Sequence, residues 1–111
     1  MKDEELVGQH LQELRRGTVV LACLAILAQP HYGYALLETL AAAGLSVDGN
    51  TLYPLLRRLE KQGLLTSEWN TDEPRPRKFY VVSDDGRALL DRLVREWSAL
   101  DGALRALQEG R

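Results

Sequence analysis

The stretch Asn50-Thr51-Leu52-Tyr53-Pro54-Leu55-Leu56-Arg57-Arg58-Leu59-Glu60-Lys61-Gln62-Gly63 carries two patterns at once. Leu52, Leu55, Leu56 and Leu59 fall at i, i+3, i+4 and i+7, a stripe that packs inward on one side of a helix. At about 100° per residue, Asn50, Tyr53, Arg57 and Lys61 gather on the opposite side, with Arg58 at its margin. Asp48 is placed to cap this helix, which is expected to run through Gln62 and stop at Gly63. Pro54 lies beyond the free first turn, removes one helix hydrogen bond and is expected to bend the axis. Asn, Tyr, Arg and Lys side chains on one exposed helical face reach base edges and phosphates in a major groove. Alone, the same face reads equally well as a solvated surface, so the flanking segments decide.

Upstream, residues 3–15 place Val7, Leu11 and Leu14 at helical spacing below an acidic first turn. Residues 17–28 are apolar nearly all round, as in a central buried helix, and are too short to cross a bilayer. Gln29-Pro30-His31 ends that run. A further helix is expected from Tyr32 or Gly33 to Ala43, with Leu36, Leu37 and Leu40 on one side and Gly44 just past its end. Only a few residues then separate it from the helix that Asp48 caps.

Downstream, residues 64–69 and 77–82 read as two short strands around the polar loop 70–76, a wing. Ser83 followed by Asp84 and Asp85 starts a last helix. Its apolar positions Leu90, Leu93, Trp97, Leu100, Leu104 and Leu107 step by threes and fours, a seam that wants another helix. The order is that of a mainly α winged helix-turn-helix with a small β-hairpin and added terminal helices. We expect a single domain over 1–111, a DNA-binding core over 16–83 and a C-terminal dimerisation helix over 84–109.

The 111 residues carry a net charge of −2, so the distribution matters more than the total. Residues 1–14 hold Lys2 against Asp3, Glu4, Glu5 and Glu13, whereas residues 50–80 hold six Lys/Arg against four Asp/Glu. In the locally basic middle, Arg75, Arg77 and Lys78 cluster where a wing lies along the phosphate backbone or dips into the minor groove, diluted by Asp72 and Glu73. Arg15 and Arg16 are weaker candidates for phosphate contact. The single cysteine, Cys23, in an apolar run, reads as a small buried hydrophobe in a reducing compartment. With no signal-peptide pattern and no membrane-length apolar run, a cytoplasmic location is expected.

Three segments carry a resemblance to a known family: residues 30–36 (Pro-His-Tyr-Gly-Tyr-Ala-Leu), residues 50–63, and Arg77-Lys78-Phe79-Tyr80. Together with Leu64-Leu65, Trp69 and Gly86-Arg87 they resemble the PadR pattern, over about residues 16–100. The resemblance implies that the second and third helices of the core form the helix-turn-helix, that Tyr34 and Tyr53 lie near the DNA, and that Pro54 is normal in the recognition helix. It implies a repressor that dimerises through its terminal helices and belongs to the short subfamily. The expected DNA-binding set is Tyr34, Asn50, Thr51, Tyr53, Arg57, Arg58, Lys61, Arg75, Arg77 and Lys78. A dimer with two wings implies a pseudo-palindromic operator with half-sites roughly 34 Å apart.

Residues 96–101 around Trp97 are similar to the segment of multidrug-binding short PadR proteins, whose paired tryptophans line a pore at the dimer interface. By that resemblance Val7, Leu11, Val19, Cys23, Trp97 and Asp101 would meet a planar aromatic effector; plain dimer packing of Trp97 explains the same sequence. No cofactor, metal or enzymatic activity is expected. His10 and His31 sit in unrelated segments, Cys23 reads as buried, and Asp84-Asp85 reads as a helix start. The rival of another class is a winged helix that binds a protein and not DNA.

Overall fold

The computed structural model describes residues 3–110. Eight elements follow one another: α1 (Glu4–Arg16), α2 (Thr18–Ile26), β1 (His31–Tyr32), α3 (Gly33–Ala42), α4 (Gly49–Lys61), β2 (Leu65–Asn70), β3 (Arg77–Val82) and α5 (Asp84–Glu109). The core lies where α2, α3 and α4 meet the sheet: Leu24, Leu27, Leu36, Leu40, Leu52 and Leu56 are fully buried, with Leu59 and Leu65 nearly so. The leucine stripe of α4 thus faces inward, except that Leu55 is only partly covered.

The two helices of the helix-turn-helix end on one device. Gly44 and Gly63 both adopt positive φ, 84° and 78°, a conformation open to glycine because it lacks Cβ. The chain then turns so that Leu45 N–H donates to Leu40 C=O at 2.8 Å and Leu64 N–H donates to Leu59 C=O at 3.0 Å. This closes each helix end and drives the next leucine back toward the core. The starts are set by side chains: the Asp48 carboxylate accepts from Thr51 N–H at 2.8 Å, and Ser83 Oγ accepts from Gly86 N–H at 3.0 Å, as N-caps do. Pro54 is accommodated inside α4.

The wing differs from the expected two-stranded hairpin. The sheet has three antiparallel strands in the order β1-β3-β2, with Tyr32 opposite Phe79 and Trp69 opposite Lys78. A two-residue strand is too short for period-two alternation to register, so β1 left no mark in the pattern. It matters because it ties the turn before α3 to the base of the wing. β2 also lies one residue further along than expected, at Leu65–Asn70.

α5 packs its first turns on the core, where Leu89, Leu90 and Leu93 are partly buried. Gly86 makes that crossing: a Cβ there would stand 2.1 Å from Leu64 O and 2.4 Å from Val82 Cγ2. Beyond Leu93 the helix projects from the body, and Val94, Trp97, Leu100, Leu104 and Leu107 stay exposed. Leu6, Leu11 and Leu14 of α1 are exposed as well. No helix among the described residues is long and apolar enough to cross a membrane.

Candidate nucleic-acid interface

Asn50, Thr51, Arg57, Arg58 and Lys61 of α4 are exposed, as their helical phase required. Tyr53 departs from this expectation and is half-buried. Its ring lies across α3 and the start of α4, so that a Cβ on Gly33 would come within 2.5 Å of Tyr53 Cε1 and one on Gly49 within 3.2 Å of Cε2. Two glycines therefore make the seat for this ring. Tyr53 then lines a cleft of about 300 Å³ between the helix-turn-helix and the wing, together with Tyr32, Tyr34, Trp69, Arg77 and Lys78.

Of the wing cations expected to meet phosphates, Arg77 and Lys78 are engaged by the protein itself, and Arg75 is exposed in the loop before β3. Arg77 Nη2 donates to both carboxylate oxygens of Glu73, at 2.8 and 2.9 Å, and Nη1 donates to the Tyr34 hydroxyl at 2.8 Å. Its guanidinium lies 4.4 Å from the Tyr32 ring centre and 5.3 Å from that of Tyr34, whose rings are stacked on each other. These hydrogen bonds, Glu73 first, push the already high pKa of Arg77 upward, and partial desolvation opposes them. Asn70 Nδ2 donates to the Tyr32 hydroxyl at 2.6 Å, fixing that ring from β2.

Lys78 makes a second tie. Its Nζ lies 3.4 Å from Glu60 of α4 and 5.5 Å from the Tyr80 ring centre. Glu60 also accepts a hydrogen bond from the Ser67 hydroxyl of β2. That bond, with Lys78 adding to it, lowers the Glu60 pKa against the opposing effect of burial; burial raises that of Tyr80. α4 and the wing are thus joined through Glu60. The partners Glu60, Ser67 and Tyr32 were not among the expected site residues, because their roles depend on pairings between elements that no local pattern announces.

Two of the six residues expected around an effector share a groove. Leu11 and Val19 line a groove of about 410 Å³ with Arg15, Arg16, Asp48 and Thr51, between α1, α2 and the start of α4. Cys23 is fully buried, and burial pushes its thiol pKa up to about 11. It therefore faces the core and not an open site, contrary to its expected place in the effector set. Val7 is half-buried on α1. Trp97 is about half exposed on α5, and Asp101 accepts from Arg105 Nε at 3.2 Å on the same helix. Among the described residues no cluster of His, Cys, Asp or Glu is arranged to hold a metal.

A winged helix with an exposed polar and basic helical face and a projecting terminal helix has close relatives. Residues 20–92 match the Transcriptional regulator PadR-like family. The chain belongs to this family. The crystal structure of a PadR family transcriptional regulator from Eggerthella lenta superposes with a TM-score of 0.93 at 44% identity, over 97% of this chain and 96% of that one. A PadR-like transcriptional regulator from Bacillus cereus gives 0.79 at 25% identity, covering 89% of this chain and 99% of the other. A transcriptional regulator from Mycobacterium tuberculosis is 38% identical over 81 residues, 72% of this chain and 76% of the relative. PadR membership makes the chain a winged-helix transcriptional regulator, and regulators of this family bind DNA and typically dimerise.

Proposed function

We propose that this PadR-like regulator is a repressor that binds a pseudo-palindromic duplex operator as a homodimer. In this reading α4 enters the major groove, Asn50, Thr51, Arg57, Arg58 and Lys61 contact bases and phosphates, and Tyr34, Tyr53 and the wing residues Arg75, Arg77 and Lys78 meet the backbone beside it. The observation that carries the reading is the split character of α4: Leu52 and Leu56 fully buried and Leu59 nearly so, with a polar and basic face exposed on the other side, next to a wing. The exposed seams of α1 and α5 are the surfaces through which two copies pair. A planar aromatic effector held near Trp97 between the paired α5 helices would release the operator by favouring a different spacing of the two wings.

The test is a titration of the protein into labelled duplex from immediately upstream of its own coding region, against a scrambled duplex, at two salt concentrations bracketing physiological. Selective binding that weakens with salt is the expected result. Arg57→Ala with Lys61→Ala should weaken it and flatten its salt dependence by about 1.8 in log–log slope if both cations neutralise phosphates. Binding equal on both duplexes and unchanged by the double substitution would instead favour a protein-binding winged helix. Quenching or shift of Trp97 emission by planar aromatic cations tests the effector arm, and its absence in a folded dimer retaining Trp69 removes that arm.

A further inference from the structure

The Arg77 guanidinium occupies a seat in which one occupant is exchangeable and the others are fixed. Tyr32 and Tyr34 are held by β1, by the start of α3 and by the Asn70 bond, and they stack against the guanidinium and accept one of its hydrogen bonds. Nε of Arg77 is buried without a hydrogen-bond partner. Glu73 comes from the exposed loop 71–76, and its side chain is 48% exposed. Both of its carboxylate oxygens accept from the one nitrogen Nη2, and a phosphodiester likewise offers anionic oxygens to a guanidinium. The seat lines the cleft beside the recognition helix, where Tyr53 and Trp69 complete its walls.

We propose that the Arg77 seat is a phosphodiester site which Glu73 occupies in the free protein, and that a backbone phosphate of duplex DNA displaces the Glu73 carboxylate when the wing docks. The inference rests on the DNA-binding reading above and specifies the regulation of its wing. Glu73 is then an internal competitor: it holds the wing cation in its docked position against the two tyrosines, and it lowers affinity for every duplex, because phosphates are the same in all of them. The tyrosines remain in place during the exchange, so Arg77 meets the phosphate already oriented.

The experiment is a double-substitution cycle with Glu73→Gln and Arg77→Gln in the full chain, titrated into a mixed-sequence 40-base-pair duplex at several salt concentrations, with folding checked by circular dichroism. Glu73→Gln should tighten binding about threefold when Arg77 is present, the size expected of an exposed ion pair, and should have no effect in the Arg77→Gln background. Arg77→Gln alone should make the salt slope shallower by about 0.9, one phosphate contact. An equal gain from Glu73→Gln in both backgrounds, or an unchanged slope on losing Arg77, overturns the exchange. Should Arg77→Gln fail to fold, Asp72→Asn removes the same charge one residue away and must give no comparable gain; an equal gain overturns the proposal. Operator-selective binding by the unaltered protein combined with a flat cycle sinks the exchange alone, whereas no binding to any duplex sinks the DNA reading with it.

Discussion

Cys23 and Gly86 show how single atoms constrain this chain. The Cys23 thiol has no exposed surface and a pKa raised to about 11 by burial, so at pH 8 it is protonated and screened from reagents. A thiol-specific reagent should leave it unmodified in the folded protein and react fully in denaturant; rapid native-state labelling would contradict the buried placement. At Gly86 the obstacle is backbone, because an added methyl would meet the Leu64 carbonyl oxygen. Gly86→Ala should therefore lower stability by about 1–3 kcal/mol, the usual cost of overpacking, read from the urea midpoint. Gly33 is a milder case, since the group that would have to move is the Tyr53 ring. Burial of Cys23 was legible in the sequence from its apolar neighbours. The crowding at Gly86 was not, because its nearest obstacle is the carbonyl of Leu64, more than twenty positions back along the chain.

At the level of elements, the link between α4 and the wing passes through Glu60, Ser67 and Lys78. The Glu60 pKa is lowered in the folded chain from the ordinary 4.5. A depressed carboxylate contributes stability that is complete above its unfolded value and disappears as pH falls through its folded one. The acid limb of the stability curve below about pH 4.5 should accordingly be less steep in Glu60→Gln than in the parent, measured by denaturant midpoints at a series of pH values. The helices themselves were readable from phase, caps and the two closing glycines, and α4 ends at Lys61, one residue before the Gln62 that its pattern predicted. The strand β1 was not readable, because two residues have no period and pair only when β3 is in place.

For the whole molecule, the main uncovered apolar surface runs along α5 beyond Leu93, where Leu100, Leu104 and Leu107 are 62%, 55% and 72% exposed. A seam of this kind is stabilised by a second helix. Leu100→Asp with Leu104→Asp should convert a dimer to a folded monomer in sedimentation, and duplex affinity should fall with it because the two half-sites are no longer bound together. Retention of a dimer after both substitutions would place the interface elsewhere.

The amino-acid sequence by itself determined the order of helices, the inward leucine stripe and outward basic face of α4, and the unpartnered seam of α5, since each depends on spacing within one continuous segment. Only the tertiary structure decided which wing cations are free. Arg77 and Lys78 looked alike in the sequence as phosphate ligands, yet in the fold Glu73 and Tyr34 hold the first and Glu60 the second. Electrostatic partners are chosen by distance in space, and for Lys78 the nearest carboxylate lies eighteen positions away on another element.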